Sequence, residues 1–179
     1  MSFSLAGSFP VPTPVLAALT LGLFVYTVGH LSGTHLNPAI TLGALSIGKI
    51  SFNDAVVYWL VQFLGAALAM WVGTQFGSEA MLTGSDDTSI LLFEALGAFF
   101  FAFGVAAVIY GRVPKDLSGV AVGGSLLIGV SLAALGSSGV LNPAVALANG
   151  AFSLSYVLGP VCGAVLGMWV YRLVGNEKR

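Results

Sequence analysis

The chain has 179 residues, of which 57% are hydrophobic and only 7% charged, with a formal net charge of -1. Its mean hydropathy is +0.97. That leaves too little polar surface to cover a water-soluble globule, and the absence of Lys/Arg clusters excludes an electrostatic footprint for nucleic acid. The lone cysteine, Cys162, lies in an apolar run without a second soft ligand nearby and reads as a packing residue. No cofactor or metal is implied.

In chain order, the first 13 residues, MSFSLAGSFPVPT, carry no Lys or Arg and so lack the positive flank of a secretory signal. Five later segments, 14–32, 52–73, 89–111, 117–136 and 154–174, reach the length of about 20 mostly apolar residues that a spanning helix needs. Two further apolar stretches, 38–47 and 143–152, are only about ten residues long and cover half of a core roughly 30 Å thick. These two are expected to enter the bilayer and return on the same side.

Charge supports that division. With both short stretches re-entrant, Lys49, Arg112, Lys115, Arg172, Lys178 and Arg179 all fall on one face, while Glu79, Asp86 and Asp87 fall on the other. The positive-inside rule then predicts a cytoplasmic C-terminus and an extracytoplasmic N-terminus in a multi-pass membrane protein.

LNPAITL at 36–42 and LNPAVAL at 141–147 agree at five of seven positions with an offset of 105 residues. Each follows an apolar span and precedes another that opens on related text, YWLVQFLGAALA from Tyr58 and YVLGPVCGAVLG from Tyr156. Three spans separate the two copies, so they enter from opposite faces as an inverted repeat. The chain reads as one all-α membrane domain over 1–179, with half-repeats at about 14–73 and 89–174. The second half opens with a leading span at 89–111 that has no counterpart in the first.

Asn37, Pro38 and Ala39, like Asn142, Pro143 and Ala144, form a helix start: a capping Asn, a Pro where no N–H is needed, and the best helix former. One copy alone is an ordinary capped helix. Two copies opening half-length segments from opposite faces place two helix N-termini at mid-membrane, where irregular backbone is tolerated only if buried or lining a cavity. The positive helix ends and the Asn amides would accept oxygen lone pairs and repel cations.

The stretch GHLSGTHLNPAITLG, from Gly29 to Gly43, together with SSGVLNPAVAL, resembles the two re-entrant loops of the aquaporin and glycerol-facilitator (major intrinsic protein) family. The resemblance runs from about Leu16 to Arg172 and implies an aquaporin-like bundle, a homotetramer with a pore in each protomer, and passive flux of water or small neutral solutes. It also implies a constriction at Ala17, Val130, Gly139 and Val145. The family usually places an Arg where Val145 stands, so the opening here would be wide and apolar, suiting glycerol-like or metalloid-acid solutes. Glu94 corresponds to a membrane-embedded carboxylate that braces the second loop, and His30 is expected to support the first.

The main alternative is a non-conducting accessory subunit whose missing-helix flank binds another membrane protein. An enzyme is not expected, because no nucleophile–base set, metal-ligand spacing or phosphate loop is present. Small residues at four-residue spacing, Gly159, Gly163 and Gly167 and likewise Gly65, Ala69 and Gly73, predict close helix packing, within the protomer or between subunits, with the repeat relation favouring equivalent sites inside the bundle. The tyrosines near span ends, Tyr58 and Tyr156 among them, read as interfacial anchors.

Overall fold

The computed structural model describes residues 11–77 and 82–176, and they form helices without strands. Five helices are long and apolar enough to cross a membrane: α1 (Thr13–Ser32), α3 (Phe52–Gln75), α4 (Thr88–Ile109), α5 (Ser118–Ala133, preceded by a 3-10 turn at Lys115–Leu117) and α7 (Leu154–Val174). Two short helices, α2 (Pro38–Ser46) and α6 (Pro143–Ala148), complete the set. The expected spans and half-helices are therefore in place. α5 and α6 stop short of their expected ends, at Ala133 and Ala148; α6 ends where the Asn149–Gly150 pair turns the chain, with Gly150 at a φ of 80° and the Ala151 N–H bonded back to the Ala146 carbonyl.

Glycines set the crossings. A methyl group at Gly97 would lie 2.4 Å from the Gly129 carbonyl oxygen, and one at Gly129 would lie 2.5 Å from that of Gly97, so α4 and α5 touch backbone to backbone. Gly22 and Gly119 make the equivalent close approach between α1 and α5. α4 and α7 share the most extensive interface of the bundle. Without a hydrophobic drive between helices in lipid, such close approach supplies the dispersion contact that holds spans together.

The small-residue ridges part company here. Gly159, Gly163 and Gly167 are buried against α4, whereas Gly65 on α3 faces open space. The expectation of equivalent sites inside the bundle holds for α7 and fails for Gly65, because no helix among the described residues stands against α3 as α4 stands against α7.

The two ends of the bundle differ in charge. Lys49 lies 4.3 Å from the centre of the Tyr110 ring, Tyr110 stacks on Tyr171, and Arg112 and Arg172 follow directly, so these cations share one end. Asp86 and Asp87 sit at the other, where the Ser155 hydroxyl donates to the Asp87 carbonyl and Asp87 caps α4 through the Ser89 N–H. Lys178, Arg179 and Glu79 lie outside the described residues.

Candidate functional site

Each half-helix begins where the sequence places it. Asn37 has extended backbone, and its Oδ1 accepts the Ala39 N–H at 2.8 Å; the Asn142 Oδ1 accepts the Ala144 N–H at 3.0 Å. With each amide oxygen fixed by its own helix start, each Nδ2 points away from it. The Asn37 Nδ2 donates to the Leu141 carbonyl at 2.8 Å, and the Asn142 Nδ2 donates to the Leu36 carbonyl at 2.9 Å. The two motifs thus grip one another across 104 and 106 positions of sequence. An amide nitrogen carries two hydrogens, so one on each Asn is left beyond this exchange.

The accepting carbonyls belong to residues held in the left-handed region, Leu36 at a φ of 46° and Leu141 at 54°. That conformation is uncommon for leucine and is maintained by its surroundings. For the second loop the restraint is Glu94. Fully buried on α4, it accepts the Val140 N–H and the Ser137 hydroxyl on Oε1 at 2.9 and 2.7 Å, and the Leu141 N–H on Oε2 at 2.6 Å. Three donors converge on one carboxylate, the bracing geometry expected of Glu94.

The first loop is held differently. His30 is exposed and makes no hydrogen bond among the described residues, so the expected support does not come from it there. Thr41 serves instead. Its hydroxyl donates to the Asn37 carbonyl at 3.0 Å and accepts the Gln62 Nε2–H at 3.0 Å, with His35 Nδ1 at 3.2 Å. All three bonds form together only with the histidine proton on Nδ1, which leaves Nε2 as an acceptor. The Trp59 indole adds a bond to the Pro38 carbonyl, and the Tyr58 hydroxyl one to that of Ser32. In the second half, Tyr156 is buried and its hydroxyl donates to Ser138 Oγ at 3.0 Å. Tyr58 and Tyr156 therefore tie loops rather than anchor an interface. None of these braces carries a motif that sequence alone could single out.

A cavity of about 50 Å³ lies between α1, α4 and α5, reaching His35 and Ile40 of the first loop and half-helix and Val108 and Ile109 near the end of α4. Its wall is apolar, from Leu21, Val25, Ile40, Phe101, Val105, Val108, Ile109 and Val122, with Thr34 and His35 as the polar side chains. Of the expected constriction residues, Val130 is buried, and a methyl group at Gly139 would press on its carbonyl oxygen at 3.0 Å, so these two are neighbours. Ala17 and Val145 are exposed.

A bundle of five spanning helices around two half-helices that meet tip to tip is a multi-pass integral membrane scaffold with a polar junction at its centre. The chain belongs to the major intrinsic protein family, whose model matches residues 10–171. It is 36% identical over 176 residues to aquaporin NIP1-1 of Zea mays, covering 89% of this chain and 61% of that one. It is 34% identical over 182 residues to aquaporin NIP1-4 of Oryza sativa subsp. japonica (94% and 66%), and 30% identical over 173 residues to nodulin-26 of Glycine max (89% and 64%). The chain thus spans about three fifths to two thirds of the length of these relatives. Aquaporins of this family are channels, not enzymes.

Proposed function

We propose that the chain forms a passive channel for water and small uncharged solutes, with the path running past Asn37 and Asn142. The observation that carries the reading is the reciprocal pair of Asn–carbonyl bonds, which presents two helix N-termini and two spare amide hydrogens at one point. A water there would be held through its oxygen by both amides, its hydrogens directed outward along the path. Such an arrangement breaks a proton-conducting chain, and the partial positive charge of the helix ends repels cations.

The apolar set Ala17, Val130, Gly139 and Val145 lacks a fixed charge, which favours glycerol-like and metalloid-acid solutes over strict water selectivity. The basic end would face the cytoplasm by the positive-inside rule, with the N-terminus outside and the protomers arranged as a homotetramer. The test is stopped-flow light scattering of proteoliposomes under water and glycerol gradients, with Asn37→Asp and Asn142→Asp as controls. Permeability above that of empty liposomes, abolished by either substitution, supports the channel. Baseline permeability from well-folded protein refutes it.

One observation favours a second reading. The uncovered face of α3 suits an accessory subunit that uses this flank to hold another membrane protein.

A further inference from the structure

A ladder of aromatic rings joins α4 and α7 and ends at the basic end of the bundle. Phe99 stacks on Phe103 with ring centres 6.3 Å apart, Phe103 meets Tyr171 edge to face at 5.0 Å, and Tyr171 stacks on Tyr110 at 6.0 Å. Lys49 closes the top, its Nζ 4.3 Å from the centre of the Tyr110 ring. At the other end Phe100, edge to face against Phe99, is exposed. The side chains change along one line from hydrocarbon through phenol to cation, which is the polarity sequence of a membrane boundary.

Three helix C-termini meet at this end, each with a cation. Lys49 follows α2, Arg112 follows α4, and Arg172 lies in the last turn of α7 with its guanidinium 4.9 Å from the Trp169 ring. A cation there offsets the helix dipole, but the dipole requires neither the ring beneath Lys49 nor the apolar rungs below it. Lys49 is exposed and pairs with no carboxylate among the described residues. Of the acids at this end, Asp54 accepts the Ser51 hydroxyl at the start of α3, and Asp116 sits on the turn before α5, whose carbonyl there takes the Tyr26 hydroxyl of α1.

We propose that Lys49, with Arg112 and Arg172 beside it, binds the headgroup of an anionic phospholipid, one acyl chain of which lies along Phe103, Phe99 and Phe100. A basic pocket between spanning helices draws a phosphate at the boundary, where water screens it less than in solution. The Tyr110 ring holds the ammonium by cation–π attraction without neutralising it, so its charge remains available to the headgroup. A choline headgroup brings a cation of its own and gains little from the site. The aromatic rungs offer a tail the contact that dissolved phosphate cannot use, which makes the lipid the occupant. The inference needs the bundle to sit in a bilayer and does not require conduction.

The full chain is purified in a neutral detergent and titrated with phosphatidylglycerol or phosphatidylcholine, and the bound lipid is counted by native mass spectrometry. The parent is expected to retain phosphatidylglycerol in preference to phosphatidylcholine. Lys49→Gln should weaken phosphatidylglycerol binding about fivefold, the loss of one cation at the surface, while Lys49→Arg retains it. Lys115→Gln, on the turn that Tyr26 holds, should leave it at the parental level. Equal losses in Lys49→Gln and Lys115→Gln overturn the proposal, because the attraction then belongs to the basic end as a whole. Unchanged binding in a Lys49→Gln protein of parental helicity overturns it as well, and so does equal retention of the two lipids by the parent. Displacement of phosphatidylglycerol by an equal concentration of inorganic phosphate makes a dissolved anion the ligand and also overturns it. Lipid adducts are counted without any flux, so a chain that binds phosphatidylglycerol but does not conduct refutes the channel reading alone. A chain that conducts without lipid preference refutes this inference alone.

Discussion

Asn37 and Asn142 are bound crosswise: the side-chain nitrogen of each donates to the backbone carbonyl immediately before the other, at 2.8 and 2.9 Å. The pair is not balanced in its surroundings. Asn37 is 3% exposed, while Asn142 is more open. Removing Asn37 strands the Ala39 N–H and the Leu141 carbonyl in a buried place, so Asn37→Ala is expected to cost about 2–4 kcal/mol as a cap and a buried bond together. Asn142→Ala should cost less. Thermal unfolding of the two variants in the same detergent checks the order.

Glu94 accepts three donors from one short loop, and two of them are backbone N–H groups that cannot move away. Glu94→Gln replaces one accepting oxygen by a donor facing an N–H. The expected destabilisation is about 2–4 kcal/mol, and Ser137→Ala, which removes a single bond, should cost about 1 kcal/mol. A Glu94→Gln protein as stable as the parent would show that the loop does not depend on the carboxylate.

The two ridge glycines give a paired prediction. At Gly163 a methyl group would sit 2.1 Å from a carbonyl oxygen, so Gly163→Ala must push α7 from α4 and is expected to lower stability by more than about 2 kcal/mol. At Gly65 the space is open, and Gly65→Ala should be neutral or stabilising by up to about 1 kcal/mol through helix propensity. Unfolding curves of both variants decide it.

Thr41→Val preserves shape and removes the hydroxyl that joins Asn37, Gln62 and His35. With the Gln62 amide and the His35 ring left unpaired, a loss of about 1–3 kcal/mol is expected, and solute flux should fall with it if the first loop lines the path. Parallel measurements of unfolding temperature and liposome permeability test the link.

Much of this arrangement is legible in the sequence. The twin Leu-Asn-Pro-Ala strings are helix starts by local chemistry alone, and Glu94, an acid in an apolar run, had to have partners. The failures are equally physical. His30 was a reasonable support for the first loop because it is a polar residue beside it, but its direction depends on how α1 is rotated in the bundle, which local sequence does not encode. Tyr58 and Tyr156 look like interfacial anchors by position near span ends; which way the chain folds back decides that their hydroxyls meet loop residues instead.

By itself the sequence determined that the protein lives in a bilayer, that five segments cross it and two turn back, and that the halves are inverted copies, because length, hydropathy and capping act within a few turns of chain. Only the tertiary structure decided that each Asn bonds the other's loop, that Thr41 rather than His30 holds the first half-helix, and that the ridge on α3 lies open while its twin on α7 is filled. Those facts depend on which residues stand opposite one another across a hundred positions of sequence, and hydrogen-bond direction and side-chain contact are fixed only when the helices have packed.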